Sequence, residues 1–169
     1  MAKVYAVYSR VDKSLFSHAI RWRITPKGEK LFPYSHVGLI LEPDKKLITL
    51  DSLVTESSVK GKGVHFSTLK SFMSHASAYL VTELHEDTDR FDDLLNLAKR
   101  YEGTKYDLKG AVGLGVGENW QEDDAFWCSE WFAFKMKKIA MSFMRNDIEH
   151  RIDPRHCFLW PQTPITLSF

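Results

Sequence analysis

The chain has 169 residues, 44% of them apolar and 27% charged, and its 23 basic and 22 acidic side chains leave a formal net charge of +1. That length supports one domain, residues 1–169, with a proper core, and it is short for two. The two charge signs are well mixed, which argues against a phosphate-binding arm and so against nucleic acid as a partner; the two cysteines make neither a disulfide framework nor a CxxC zinc pair, and no metal or cofactor is expected.

The first residues, MAKVYAVYSRVDKS, reach charged side chains within a few positions and contain no apolar leader core. No later segment supplies the roughly 18 uninterrupted apolar residues of a membrane span. A cytoplasmic protein without an integral membrane segment is the expectation. Val4–Tyr8, β-branched and aromatic, reads as a strand. Ser14–Trp22 reads as a helix with Leu15, Ala19 and Trp22 as its apolar stripe, ended by Pro26-Lys27-Gly28.

Pro33 breaks the chain before Ser35–Leu41, a short apolar run that reads as a buried strand, and Leu47–Asp51 reads as the second arm of a hairpin. Lys60–Gly63 is a flexible turn before the strand residues Val64–Phe66. Ser67 caps a short helix through Met73, and Ala78–Leu84 is another strand. Asp87–Tyr101 is strongly amphipathic, with acids at its start and Lys99 and Arg100 in its last turn, as the helix dipole prefers. Gly110–Gly117 lacks the ending of a phosphate loop and reads as a mobile loop. A long helix holds Cys128, and Ile165–Phe169 reads as an edge strand. His65, His75 and His85 recur every ten residues, a spacing that suits neither one helix face nor a metal site.

Within the long helix Cys128, Phe132, Met136, Ile139 and Phe143 share one face, so the thiol points toward whatever the helix packs on. Its place at the helix start favours thiolate over thiol, because unpaired N–H groups and the positive dipole end lie there. Such a cysteine is either a small buried hydrophobe or a nucleophile, and a nucleophile needs a base and an oxyanion donor. His36, at the head of a short apolar strand, is the candidate base. Asp51 is the candidate for orienting its imidazole, with Glu56 and Thr49 as rivals because hairpin register is open.

Three segments in this order, "YSHVGLI" (34–40) followed by a hairpin with an acid, "KYDLKGAVGLG" (105–115) and "AFWCSEWFAF" (125–134), resemble the permuted branch of the NlpC/P60 superfamily, the YiiX/YebB-like cysteine hydrolases. His36 precedes Cys128, which is the permuted order also found in lecithin-retinol acyltransferase-like proteins. The resemblance runs from Val4 to Phe143. It implies an α+β fold with a papain-like core, in which an antiparallel sheet packs against the Cys-bearing helix. It also implies Cys128 as nucleophile, His36 as base and Asp51 as orienting residue; Tyr106 and Asp107 match a tyrosine segment before the Cys helix, and Glu130 the acidic position after it.

The expected function is a thiol hydrolase that cleaves an amide in a peptide or peptidoglycan fragment. The Cys128 N–H and Tyr8 or Tyr106 would stabilise the oxyanion, and Trp120 would cover the substrate. Acyl transfer or thioester hydrolysis on a lipid or other acyl substrate, or a non-catalytic binding domain, are the alternatives. The oligomeric state is left open.

Overall fold

The computed structural model describes residues 2–42, 48–88, 90–116, 118, 120, 122–138 and 152–167. The elements run β1 (Ala2–Arg10), α1 (Leu15–Ile24), β2 (His36–Ile40), β3 (Leu53–Ser58), β4 (Gly63–Thr68), α2 (Leu69–Ser74), β5 (Ala78–Thr88), α3 (Phe91–Arg100), α4 (Leu108–Val116), α5 (Cys128–Lys138), α6 (Pro154–Phe158) and β6 (Gln162–Pro164). They form an α+β fold in which the six strands pair in the order β4-β3-β2-β1-β5-β6, every pairing antiparallel.

Strand alternation divides the buried side chains into two layers. From β1, Val4, Ala6 and Tyr8 join Val37 and Leu39 of β2 under α5, where Trp131, Phe132 and Met136 are almost wholly buried. Tyr5 and Val7 face the other way with Ile40, Val54 and Val81, and are covered by Leu69 and Phe72 of α2. Each such large apolar side chain contributes about 1.5–3 kcal/mol when fully buried. The Cys-bearing helix is therefore anchored by its Phe132–Met136 stripe; Ile139 and Phe143, which extend that stripe in the sequence, lie outside the described residues.

Several expectations change. The arm expected at Leu47–Asp51 begins later: Leu39 pairs Thr55 and Ile40 pairs Val54, so the strand is Leu53–Ser58. Residues 48–52 turn instead, closed by Thr49 N–H donating to Ser52 Oγ at 2.8 Å and Ser52 N–H to the Thr49 carbonyl at 3.1 Å. The glycine run expected as a mobile loop is mostly helix α4. Asp107 starts it, accepting from Gly110 N–H at 2.6 Å, and glycine is needed there because a Cβ would run into the Asp107 carboxylate and Trp127.

On α1 the stripe lies the other way. Leu15 is 89% and Trp22 71% exposed, while Ser17 and Ile24 are buried, because the inner side of the helix forms part of a cleft wall. Ser14 caps the helix, its side chain accepting from Ser17 N–H at 3.1 Å. Helix α2 is capped by Thr68 rather than Ser67. Helix α3 starts later than expected because β5 runs on to Thr88, and the edge strand falls at Gln162–Pro164.

Candidate active site

Cys128 opens α5 and is 4% exposed, its Sγ 4.0 Å from the Ser35 carbonyl oxygen. The turn that delivers it is tied down on several sides. Trp127 N–H donates to the Glu130 carboxylate at 3.4 Å, and the Trp127 indole donates to Ser129 Oγ at 3.0 Å and to the Ile152 carbonyl at 3.1 Å. Ser57 Oγ donates to the Phe126 carbonyl at 2.6 Å, fastening the same turn to β3. Glu130, two residues past the cysteine, is thus a helix-start acceptor. Asp123 and Asp124 are exposed and Glu122 pairs with Lys109 at 2.7 Å, so the acids preceding the thiol face outward.

His36 begins β2, one residue past Ser35. The β2–β3 ladder pairs only Leu39 and Ile40 with Thr55 and Val54, so the strands have parted by the time the chain reaches His36 and Ser57. That parting lets an imidazole rooted on the α2 side of the sheet meet a thiol rooted on the α5 side. The ring stacks on Phe72 with centroids 5.4 Å apart and planes at 21°. Gly38 makes room for this arrangement, since a Cβ there would come within 2.8 Å of Val54 Cγ1 and 3.2 Å of Phe72 Cε2.

His36 Nε2 lies 2.6 Å from Glu56 Oε2, which leaves Nδ1 as the ring nitrogen available to the neighbouring Cys128 thiol. Burial alone would lower the imidazole pKa; the Cys128 sulfur as thiolate and the Glu56 carboxylate outweigh it and raise the value to about 10. Glu56 is 7% exposed. Burial pushes its carboxyl up, but hydrogen bonds from His36 and His65 win and hold it far below the usual carboxylate range. Its second oxygen, Oε1, accepts from Ser67 Oγ at 3.0 Å and faces His65 Nε2 at 3.4 Å. His65 Nδ1 in turn is 2.8 Å from the Gly63 carbonyl and donates to it, and the Glu56 hydrogen bond raises the His65 pKa. The histidine–carboxylate–histidine row spans three strands.

Asp51 is not part of this row. It sits in the exposed turn before β3, its N–H donating to Thr49 Oγ1 at 3.3 Å, and the shifted start of the strand puts Glu56, the rival acid, beside the imidazole. Thr49 is likewise exposed in that turn. Tyr8 is corrected too: its hydroxyl is buried against the Cys157 carbonyl and Gln162 Oε1, both at 3.0 Å, and the residue does not line the cleft. Trp120, half exposed, packs beside Gly113 and does not line the cleft.

Tyr106 does line it. The chain on either side is pinned to the cysteine turn by Phe126 N–H donating to the Lys105 carbonyl at 3.0 Å and Asp107 N–H to the Phe126 carbonyl at 3.3 Å. Burial first, then the neighbouring Cys128 and Asp107 charges, raise its phenol pKa well above 10, so the hydroxyl keeps its proton and can donate. The cleft holds about 430 Å³ and His36, Glu56, His65, Tyr106 and Ser35 all reach it. A thiol, an imidazole between thiol and carboxylate, and a protonated phenol make a set able to attack an acyl carbon.

His65 and Ser67 went unread as site residues. A hairpin centred on the Lys60–Gly63 turn pairs Glu56 with His65, and that pairing was the available signal.

No family model matches the chain, and no curated protein matches it. Among solved structures, one titled "Crystal structure of metalloprotein yiiX from Escherichia coli O157:H7, DUF1105" has TM-score 0.67 and 17% identity, covering 99% of this chain and 98% of that one. The two share a fold from end to end. That title names a metalloprotein; among the described residues no group of three or more His, Cys, Asp or Glu side chains is placed to hold a metal ion, His36 Nε2 and Glu56 Oε2 being turned onto each other and His65 Nδ1 bound to a carbonyl. No helix of the described residues is long and apolar enough to cross a membrane.

Proposed function

We propose that this chain is a cysteine-dependent acyl hydrolase with a permuted, papain-like NlpC/P60 core, cleaving an amide in a peptide or cell-wall fragment. The observation that carries the reading is the His36 ring at the wall of a cleft, 2.6 Å from the Glu56 carboxylate and near enough to the Cys128 sulfur for its charge to act on the imidazole. The end-to-end likeness to yiiX, with histidine before cysteine in the chain, supports it.

Cys128 reacts as thiolate beside a protonated His36. Its sulfur forms a bond to the acyl carbon while the carbonyl electrons move onto oxygen, where the Cys128 N–H at the helix start and the Tyr106 hydroxyl donate. His36 passes its proton to the leaving nitrogen as the carbon–nitrogen bond breaks, leaving a thioester and a neutral imidazole. The imidazole then takes a proton from water as that water attacks the thioester, and the thiolate leaves again. Glu56 holds Nε2–H throughout, fixing the tautomer and stabilising the cation whenever it forms.

The test is alkylation of Cys128 by iodoacetamide between pH 5 and 8, with the buried Cys157 as internal control. Labelling that stays fast at pH 6, where a free thiol of pKa about 8.5 is almost wholly protonated, together with a return to ordinary thiol behaviour in His36→Ala, is the expected result. A non-catalytic domain would give equal, slow labelling in both proteins.

A further inference from the structure

The cleft beside His36 is unevenly charged. Of the described residues that line it, Glu56 is the one acid, and both its oxygens are taken by His36, His65 and Ser67. The mouth carries cations. Lys60, in the β3–β4 turn, puts Nζ 2.8 Å from His75 Nε2, at the end of α2, so its partner is an imidazole nitrogen that accepts a hydrogen bond and brings no negative charge. Arg10, at the end of β1, has Nε 2.9 Å from Asp12 Oδ1, and the same oxygen is shared with Arg21 Nη1 at 3.4 Å. One carboxylate between two guanidiniums leaves a positive charge over, and Arg10 Nε makes no aligned hydrogen bond. The Ser77 N–H, donating to the Arg10 carbonyl at 2.8 Å, draws the Lys60–His75 end and the Arg10 end to one rim. Phe16, Ile20 and Phe72 line the wall below, beside the hydroxyls of Ser14 and Ser71.

We infer that the cleft selects acyl substrates that carry a negative group, a carboxylate or a phosphate, which docks on Lys60 and Arg10 while the acyl carbon lies at Cys128. The inference rests on the hydrolase reading above and adds the substrate class to it. Charge of one sign in a partly enclosed cleft raises the local concentration of the opposite sign and orients it, and salt weakens the effect.

The probe is a pair of reagents that alkylate Cys128 identically and differ in charge, iodoacetate and iodoacetamide. The ratio of their rate constants is measured in the intact protein and in glutathione under the same buffer. The expected ratio exceeds that of glutathione, falls with added salt, and drops by about threefold to tenfold in Lys60→Gln; Lys27→Gln, an exposed site outside the cleft, leaves it alone. Slowing of iodoacetamide labelling by glutarate or by glycerol phosphate then tells a carboxylate from a phosphate ligand. A ratio equal to that of glutathione, or one that Lys60→Gln does not move, overturns the anionic class while Cys128 remains a reactive thiol. Failure of both reagents to label Cys128 overturns the hydrolase reading and this inference with it.

Discussion

Replacing Glu56 by Gln leaves the shape of the site and removes the charge that faces His36. The 2.6 Å contact joins a side chain that is 22% exposed to one that is 9% exposed, so solvent screens it weakly. A hydrogen bond to a charged partner in such a place is worth about 1.5–3 kcal/mol. Since about 1.4 kcal/mol corresponds to one pH unit, the imidazole that titrates at about 10 in the parent protein should titrate near 8 or 9 in Glu56→Gln. If the cation is needed to keep the thiolate and to protonate the leaving group, the rate at pH 9.5, where the parent imidazole is still mostly charged and that of the variant mostly neutral, falls by about threefold to twentyfold. Histidine ring signals followed by NMR from pH 6 to 11 read the first quantity, and turnover at pH 9.5 the second. Asp51→Asn is the matched control and should change neither, because that carboxylate stands in the exposed turn. A His36 midpoint near 6.5 in the parent protein, or an Asp51→Asn effect as large as that of Glu56→Gln, would refute the reasoning.

His65→Ala removes a donor from Glu56 Oε1 and should slow Cys128 alkylation by roughly threefold to tenfold with the fold retained by circular dichroism; Gly61→Ala, whose Cβ would collide with the His65 ring, should act in the same direction. Thermal melts should follow the pairing in both directions of pH. His36 is raised in the fold, so its contribution is whole below about 6.5 and is lost as pH climbs through about 10, whereas Glu56 is lowered, so its contribution is present above about 4.5 and fades as pH falls below that. A flat melting temperature from pH 7 to 10 in the parent protein would contradict the first half. Lys135 is wholly buried, its Nζ 3.4 Å from the Thr55 carbonyl and 4.7 Å from the Trp131 ring centre, and burial drives its pKa well down. Lys135→Met should therefore be neutral or stabilise by about 1 kcal/mol in urea melts, with a larger gain at pH 6 than at pH 10 because the ammonium is the costly form; a loss of more than about 2 kcal/mol would show the ammonium to be a favourable structural partner.

Much of what places the site could be read along the chain. A cysteine at the head of a stripe that includes Phe132 and Met136 has to point into the layer its helix covers, and a β-branched run headed by His36 has to be a strand; both follow from periods of 3.6 and 2, which depend on neighbours a few residues away. The caps are equally local, which is why Ser14 was legible as the start of α1. The choice among Asp51, Thr49 and Glu56 belongs to another kind of information. Moving the start of β3 beyond the turn at residues 48–52 changes which acid faces the imidazole, and that start depends on Val54 and Thr55 pairing with Ile40 and Leu39 and on Thr55 and Ser57 bonding to Trp131 and Phe126, residues far apart in sequence.

The same limit explains the other corrections. Glycines at 110 and 113 weaken a helix in isolation, yet α4 forms because Asp107 caps it and Trp127 needs the space beside Gly110. Leu15 and Trp22 have the spacing of a buried stripe, but the cleft takes the opposite side of α1. Tyr8 and Tyr106 are chemically alike as donors; only the folded chain sends one hydroxyl to Gln162 in the core and the other to the cleft. Residue types and their short periods determine which side chains are available for chemistry. Which of them meet is decided by tertiary contacts, because a hydrogen bond of 2.6 Å between residues 36 and 56 depends on the placement of every strand and helix around it.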